Sequence, residues 1–276
     1  MDTVRRKYLQ ALASHTQRNV IAYYSGFLQK PGILQTQISD EDKNGIMTCV
    51  HQLDRTKGLD LMIHTEGGNI AATQSLVHYL RQMFGKDIRA IVPQIAMSAG
   101  TIVACCTKSI VMGKQSNLGP IDPHISGIPT KGVIQEFDQA LKEIKKDAAK
   151  IHVWQPILQQ YRPTFLGQCE NALKWSNSFV RQQLSDNMFF GVRGKKAKIT
   201  KIIRALTNYQ KGHAHHLHMD DCIKIGLKVE KLEDDPVLQD LVLTRHHSFM
   251  HALANTTAMK IVENQGGVAF VKHHRK

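Results

Sequence analysis

The 276-residue sequence predicts an α/β fold, in which parallel strand–helix–strand units come first and a mainly helical portion follows. Short apolar runs alternate with helical patterns over residues 19–112, which favours βαβ units with right-handed connections. From residue 131 onwards the hydrophobic spacing becomes helical almost throughout. A hydrophobic content of 42% can supply the core that one large domain of this length requires.

The elements of the first half follow one another with short turns. Helical spacing over residues 4–14, and then the β-branched and aromatic run NVIAYYSGF, predict a helix and a strand. Residues 39–54 predict the next helix. After it come, in order, a buried strand (LDLMIHT, 59–65), a sharp EGGN turn, a helix (IAATQSLVHYLRQM), a strand (DIRAIVP), a short buried helix (SAGTIVACCT) and a strand (SIVMGK).

The second half is predicted to be helical over residues 131–208, with breaks near Arg162-Pro163 and Gly191–Gly194. A short helix over residues 219–226 and an amphipathic helix over residues 235–262 close the pattern. We therefore expect a single domain, divided into an α/β core (15–130) and a mainly helical part (131–262) within residues 1–262, with a basic tail over residues 263–276.

Composition limits the class of protein. The formal net charge is +13, but the basic residues are scattered and do not interleave with aromatic residues, so nucleic acid is not an expected partner. No pattern supports peripheral membrane contact. The five cysteines are odd in number and lack CxxC spacing, which indicates reduced thiols in the cytoplasm. The sequence has no apolar signal core at its N-terminus and no run of 18 apolar residues, so we expect a soluble protein.

Two turns follow predicted strands at the edge where open α/β sheets bind their ligands. In HTEGGN, Gly67 and Gly68 permit close approach of the backbone, so their amides can point at a carbonyl oxygen. In QIAMSAG, Ser98 stands at the start of a helix, beside amides that have no intrahelical partner. Either feature alone is commonly just a turn or a helix cap. Together, about 30 residues apart, they indicate an acyl-transfer site with Ser98 as nucleophile and the amides of Gly68 and Ala99 as an oxyanion hole.

Three stretches carry a resemblance to a known group: IHTEGGNIAATQSLVHYLR, VPQIAMSAGTIVACCTKSIVMGKQSNLGPIDPHI and CIKIGLKV. They resemble the Clp-fold serine peptidases, which include the Clp protease proteolytic subunit and signal peptide peptidase A. Within this group the chain is most similar to the serine dehydrogenase proteinase family, over about residues 15–262. The resemblance implies a spiral of ββα units, a fold shared with crotonases, and a homo-oligomer. It also implies the roles given above for Ser98, Gly68 and Ala99.

The resemblance further implies that an extended peptide substrate binds at Gly67, Asn69 and Ile70, as a strand adds to a sheet edge. Glu66 departs from the family, which often has proline at this position. An acidic side chain beside an oxyanion hole would disfavour the developing negative charge unless it points to solvent.

The general base has two candidates, because the Clp-fold group uses two kinds. His124 stands 26 residues after Ser98, close to the spacing of the Clp proteolytic subunit, and Lys150 stands 52 residues after it, before a long helix, as the lysine of signal peptide peptidases does. A third catalytic residue is harder to identify. Asp122 is near His124 but next to a proline. The aspartate of the Clp proteolytic subunit would fall near residue 171, and this sequence has Asn171 there instead. That absence slightly favours Lys150, while His124 and the possibility that neither residue is the base stay open.

The histidine-rich stretch HAHHLHMDD (213–221) has a composition typical of metal sites. It offers no complete ligand set, so a polar loop before a helix at Asp220 is the simpler interpretation. The resembling family has a histidine in this loop, which His213 matches best. We expect neither a metal nor a cofactor.

The sequence therefore predicts a soluble cytoplasmic serine endopeptidase that acts on peptides or unfolded proteins. Two alternatives stay open. One is a non-catalytic oligomeric scaffold of the same fold, and the other is acyl-CoA chemistry on the related crotonase architecture.

Overall fold

The computed structural model describes residues 2–207 and 215–274. Its strands are β1 (Asn19–Ser25), β2 (Leu59–His64), β3 (Ile88–Val92), β4 (Ile95–Ala96), β5 (Ser109–Met112), β6 (Asn117–Leu118), β7 (His124–Ile125), β8 (Ile128–Pro129), β9 (Leu217–His218), β10 (Val229–Lys231), β11 (Ala258–Asn264) and β12 (Ala269–His273). Its α-helices are α1 (Asp2–Thr16), α2 (Asp42–Val50), α3 (Ile70–Phe84), α4 (Ala99–Cys105), α5 (Thr130–Lys146), α6 (Ile151–Leu158), α7 (Phe165–Asp186), α8 (Lys195–Leu206), α9 (Met219–Ile225) and α10 (Pro236–Asn255).

A seven-stranded sheet in the order β10-β5-β3-β2-β1-β11-β12 forms the centre of the molecule. The five strands from β10 to β1 run parallel, whereas β11 and β12 add antiparallel at one edge. A smaller sheet, β4-β6-β9, lies just beyond the carboxyl ends of the central strands, because β4 follows β3 and β6 follows β5. A long strand, a short strand and a helix follow one another in β3, β4 and α4, which agrees with the predicted ββα spiral.

Both faces of the central sheet are covered. Along β1, Ile21 and Tyr23 pack into a core with α2, α3, α4, α7, α8 and α9, while Val20, Ala22 and Tyr24 pack into a second core with α1 and α10. Strands buried on both faces have near-continuous apolar runs. This burial explains why the central strands could be predicted from their sequence.

The C-terminal region differs from its prediction. Helix α10 ends at Asn255, and the residues expected to finish it and to form a basic tail are instead β11 and β12. Lys260 and Glu263 give β11 the appearance of a polar segment, but both are fully buried. Lys260 Nζ lies 2.7 Å from Asp42 Oδ1, and Arg5 Nε lies 2.5 Å from Glu263 Oε2. Partners distant in sequence therefore make a buried strand out of a segment that looks solvent-exposed.

The helical part agrees more closely with its prediction. The break between α6 and α7 includes Arg162-Pro163, and the break between α7 and α8 includes Gly191–Gly194. No helix within residues 2–207 and 215–274 is both long enough and apolar enough to cross a lipid bilayer.

Candidate active site

Ser98 lies in a turn between β4 and α4 with an unusual backbone conformation. Its φ is +50° and its ψ is −111°, a region that residues with a side chain rarely adopt. The Met97 N–H donates to Thr65 O (3.0 Å), and the Gly100 N–H donates to Met97 O (2.7 Å), so both sides of the turn are held. Ala99 and Gly100 are buried, whereas Ser98 is half-buried. The turn thus presents a hydroxyl at the surface of an otherwise buried segment, and backbone strain of this kind is concentrated at functional sites.

Gly67 packs directly against the Ser98 turn. A Cβ atom on Gly67 would lie 2.8 Å from Met97 O, 2.9 Å from Ser98 Cβ and 3.0 Å from Ala99 N. The φ of Gly67 is +107°, which also disfavours a side chain. Glycine is required here because the HTEGGN turn and the Ser98 turn are in contact.

Gly68 is held from its other side by Ile38. The Ile38 N–H donates to Gly67 O (2.8 Å), and the Asn69 N–H donates to Ile38 O (2.9 Å). In a parallel bridge of this kind, the residue between the two bonded neighbours directs its own N–H away from the partner strand. The Gly68 amide therefore points away from Ile38, and a Cβ on Gly68 would lie 2.3 Å from Ile38 N.

The amides of Gly68 and Ala99 are neighbours, since Ala99 N lies 3.0 Å from the Cβ position of the residue before Gly68. In the part of the chain that the structure describes, no acceptor is bonded to either amide. Two adjacent amides with unused hydrogens beside a serine are the components of an oxyanion hole.

A cavity of about 620 Å³ opens above this turn. Ser98 and Gly68 line it together with Asp122 and His124, which come from the segment after β6. Thr101 of α4 positions that segment: its Oγ1 accepts from the Gly119 N–H (3.0 Å) and lies 2.8 Å from Ala96 O. The buried side chain of Thr101 therefore connects the helix that begins after Ser98 with the segment that contains His124.

The ring of His124 has a defined orientation. Its Nδ1 lies 2.8 Å from the backbone oxygen of Asp122. Because a carbonyl oxygen can only accept, Nδ1 carries the hydrogen, and the basic lone pair of the neutral ring is on Nε2. A general base that takes a proton through Nε2 requires this tautomer.

Asp122 is 7% exposed and lines the same cavity. Burial raises the pKa of its carboxyl group, and the charges of His124 and Lys131 act in the opposite direction. In the sequence, Asp122 stands next to a proline, and this position did not indicate a catalytic role. The tertiary structure brings Asp122 to the wall of the same cavity as Ser98 and His124, although both of its carboxylate oxygens are buried.

The other predicted site residues are more dispersed. Lys150 is solvent-exposed in a turn between α5 and α6, and it is not among the described residues that line the cavity. Asn69 and Ile70 line the cavity, but Asn69 caps α3 through its side chain and Ile70 begins that helix. Ile70 therefore does not offer the sheet edge that we expected to pair with a peptide, because its backbone is helical.

Glu66 lies at the cavity wall rather than fully in solvent. One of its carboxylate oxygens accepts a hydrogen bond from the Thr36 hydroxyl. Gln37, which lines the cavity, and its neighbour Thr36 belong to a segment in which no sequence pattern indicated a site. Their contribution depends on the bridge between Ile38 and Gly68, for which no local sequence pattern exists.

His213 lies outside the described residues. Across residues 2–207 and 215–274, no three His, Cys, Asp or Glu side chains are grouped as a metal ion would require.

Several known proteins are similar to this chain. Two uncharacterized proteins of Methanocaldococcus jannaschii, MJ0137 and MJ1495, are 27% and 24% identical to it over 193 and 192 residues, each match covering 70% of this chain. The chain spans about 60% of the length of these curated relatives. A solved structure of a mutant 1510-N membrane-bound stomatin-specific protease aligns over 70% of this chain and 74% of that one, with 14% identity and a TM-score of 0.41.

The sequence profile of one family covers most of the chain. The family is described as ClpP-like SDH-type serine proteinase, and its profile matches residues 3–246. This extent includes both glycine and serine turns and all the cavity residues named above. The chain belongs to the ClpP-like SDH-type serine proteinase family.

Proposed function

We propose that this chain is a serine endopeptidase in which Ser98 attacks the carbonyl carbon of a peptide bond. The observation that carries the proposal is the contact between the two turns. Gly67 packs on Ser98, and the neighbouring amides of Gly68 and Ala99 have hydrogens to donate beside its hydroxyl. Membership of a serine proteinase family agrees with this chemistry.

The reaction follows from these groups. As the Ser98 oxygen bonds to the carbonyl carbon, its proton passes to Nε2 of His124, and the carbonyl oxygen becomes an oxyanion that accepts from the amides of Gly68 and Ala99. The C–N bond then breaks, the proton moves from His124 to the leaving amine, and an ester on Ser98 remains. Water, deprotonated by the same imidazole, hydrolyses the ester and releases the carboxylic acid.

We assign the base to His124 rather than to Lys150. His124 shares the cavity with Ser98, and the hydrogen bond from its Nδ1 to Asp122 O leaves the lone pair on Nε2. The nearby carboxylate of Asp122 would stabilise the imidazolium that forms during attack. Lys150 is exposed to solvent, which removes the burial that a lysine needs to act as a base near neutral pH.

Covalent labelling tests the nucleophile. A fluorophosphonate probe should modify the wild-type protein at Ser98, and Ser98→Ala should abolish the modification. Ser126→Ala is the matched control, because Ser126 lines the same cavity and also has a positive φ, of 52°. Labelling that survives in Ser98→Ala, or none of the folded wild type, would refute the assignment, and the second result would favour the non-catalytic scaffold. An acyl-CoA that raises the melting temperature would favour the crotonase alternative.

A pair of variants tests the base. His124→Gln should reduce peptide hydrolysis by about 100-fold or more, the contribution of a general base, while Lys150→Gln should retain wild-type activity. The opposite result would transfer the role to Lys150.

The substrates and the assembly are part of this proposal. Peptides and unfolded proteins are the proposed substrates, and a homo-oligomer is the proposed form, both from the family resemblance. Light scattering coupled to size-exclusion chromatography tests the assembly, and a monomer under conditions of activity would contradict it. A cytoplasmic location remains a prediction from the cysteines, and all five thiols are buried and free.

A further inference from the structure

The cavity beside Ser98 differs in charge from the chain as a whole. The protein has 36 Lys and Arg residues against 23 Asp and Glu, a formal net charge of +13. Yet Glu66 and Asp122 line the cavity, and none of its described lining residues is Lys or Arg. Both oxygens of Asp122 are buried, so Glu66 is the acidic side chain that a ligand in this cavity can meet, and no lysine or arginine among the described lining residues opposes a cationic ligand.

Glu66 is the carboxylate best placed to meet a substrate side chain. It is two residues before Gly68, whose amide is a proposed oxyanion donor, and it lines the cavity. The Thr36 hydroxyl fixes one of its oxygens. An ionised carboxylate can accept about four hydrogen bonds, so the group keeps acceptor capacity for a ligand. Asp122, by contrast, is assigned above to the imidazolium of His124.

The remaining wall suits the stem of a long basic side chain. Leu34, Ile70 and Trp175 line the same cavity, and Trp175 is 42% exposed although it is a large apolar residue. Lys and Arg pack their methylene stems on apolar surfaces while their charged ends reach a polar partner. An accessible indole ring also attracts cations.

A second effect follows from where Glu66 lies. A negative charge close to the oxyanion hole opposes the negative charge that develops on the substrate oxygen. A cation bound to Glu66 would neutralise it during the reaction. A substrate with a basic residue would thus bind better and also remove an electrostatic obstacle to the chemical step.

We propose that Glu66 makes this site select substrates with a Lys or Arg side chain next to the scissile bond. The inference rests on the proposed peptidase function and names its substrate class. The Glu66 carboxylate would form a charge-assisted hydrogen bond with the substrate cation. An interaction of this type corresponds to about a 10- to 100-fold preference in kcat/KM.

The test compares two fluorogenic peptides that differ only in one residue next to the cleaved bond, lysine in one and norleucine in the other. Mass spectrometry of digested peptide mixtures first locates the bond and the side on which the basic residue stands. Wild-type protein should cleave the lysine peptide about 10- to 100-fold more efficiently. Glu66→Gln should lower kcat/KM for the lysine peptide and raise it for the norleucine peptide, because the obstacle to the oxyanion is removed.

Opposite changes in kcat/KM for the two peptides distinguish a role in substrate recognition from a folding defect, since a variant that merely loses structure cleaves both peptides more slowly. Glu170→Gln is the matched control, because it removes the same charge from an exposed position that does not line the cavity. It should leave both rates unchanged.

The outcomes are distinguishable from those of the proposed function. If fluorophosphonate labels Ser98 but the two peptides are cleaved equally, or not at all, the inference is refuted while the nucleophile stands. If Glu66→Gln keeps the lysine preference, the role of Glu66 is likewise refuted. If the folded wild type is not labelled, the peptidase proposal fails and the inference fails with it.

Discussion

Two buried histidines should make the protein sensitive to acid. His64, the last residue of β2, is fully buried, and neither of its ring nitrogens has a hydrogen-bond partner within residues 2–207 and 215–274. Its ring centroid lies 5.2 Å from that of His246 in α10. The His246 Nδ1 lies 3.3 Å from the Tyr24 hydroxyl. Protonating either ring would place a charge in the core between the sheet and α10.

The size of the effect follows from the two pKa values. Burial lowers the pKa of His64 from 6.5 to about 3 and that of His246 to about 4. Below pH 6.5 the unfolded chain binds protons that the folded protein does not, so the free energy of unfolding falls as the pH falls. Between pH 7 and pH 5 each histidine should contribute a loss of about 2 kcal/mol. A combined loss of about 4 kcal/mol is a large share of the 5–15 kcal/mol typical of a domain.

Urea unfolding at pH 7 and pH 5 measures this loss. His64→Leu replaces the ring by an apolar side chain and should reduce the difference between the two pH values by about 2 kcal/mol. His152→Gln, at an exposed position, should leave it unchanged. If His64→Leu shows the same pH difference as the wild type, His64 is not buried in its neutral form and the reasoning is wrong. The result also matters for activity assays, because unfolding would contribute to any loss of rate at acid pH.

Two further predictions concern the support of the Ser98 turn. Thr101→Val keeps the shape of the buried side chain but removes the acceptor of the Gly119 N–H. It should therefore lower the free energy of unfolding by about 1–3 kcal/mol and slow the labelling of Ser98, whereas Thr101→Ser should restore both. Labelling at the wild-type rate in Thr101→Val would show that this hydrogen bond does not position the site. Gly67→Ala would place a methyl group 2.8–3.0 Å from Met97 O and Ala99 N, and the resulting displacement should reduce the labelling rate by about 100-fold. Gly85→Ala is its control, since Gly85 also has a positive φ but no atom within 4 Å of its Cβ position. Equal labelling rates in the two glycine variants would contradict the close packing of Gly67 on the turn.

The sequence was most informative where the structure of a short segment depends on the residues of that segment alone. The parallel strands β1, β2, β3 and β5 are buried on both faces, so each needs an unbroken apolar run, and such a run is visible without knowledge of its neighbours. The turns at Gly67-Gly68 and Ser98 also carry their own signal, because a tight turn beside a strand restricts which residues can stand there. The predicted role of Ser98 depends on this local signal and on the family resemblance.

The C-terminal strands and the position of the proposed base, His124, could not be predicted in the same way. Lys260 and Glu263 look like surface residues, but in β11 they pair with Asp42 and Arg5, which stand more than 200 positions earlier in the chain. The sequence spacing offered both His124 and Lys150 as the base, and the absence of an aspartate near residue 171 slightly favoured Lys150. Sequence distance does not show which of these side chains lies in the same cavity as Ser98.

The sequence by itself therefore determined the α/β class, the order of the central strands along the chain and the two turns, since each depends on residues that are covalent neighbours. Only the tertiary structure decided that Gly67 touches Ser98, that Asp122 and His124 share the cavity with it, and that Glu66 lies at the cavity wall. These are proximities between distant segments, set by how the helices and sheets pack, and no local pattern of residues encodes them.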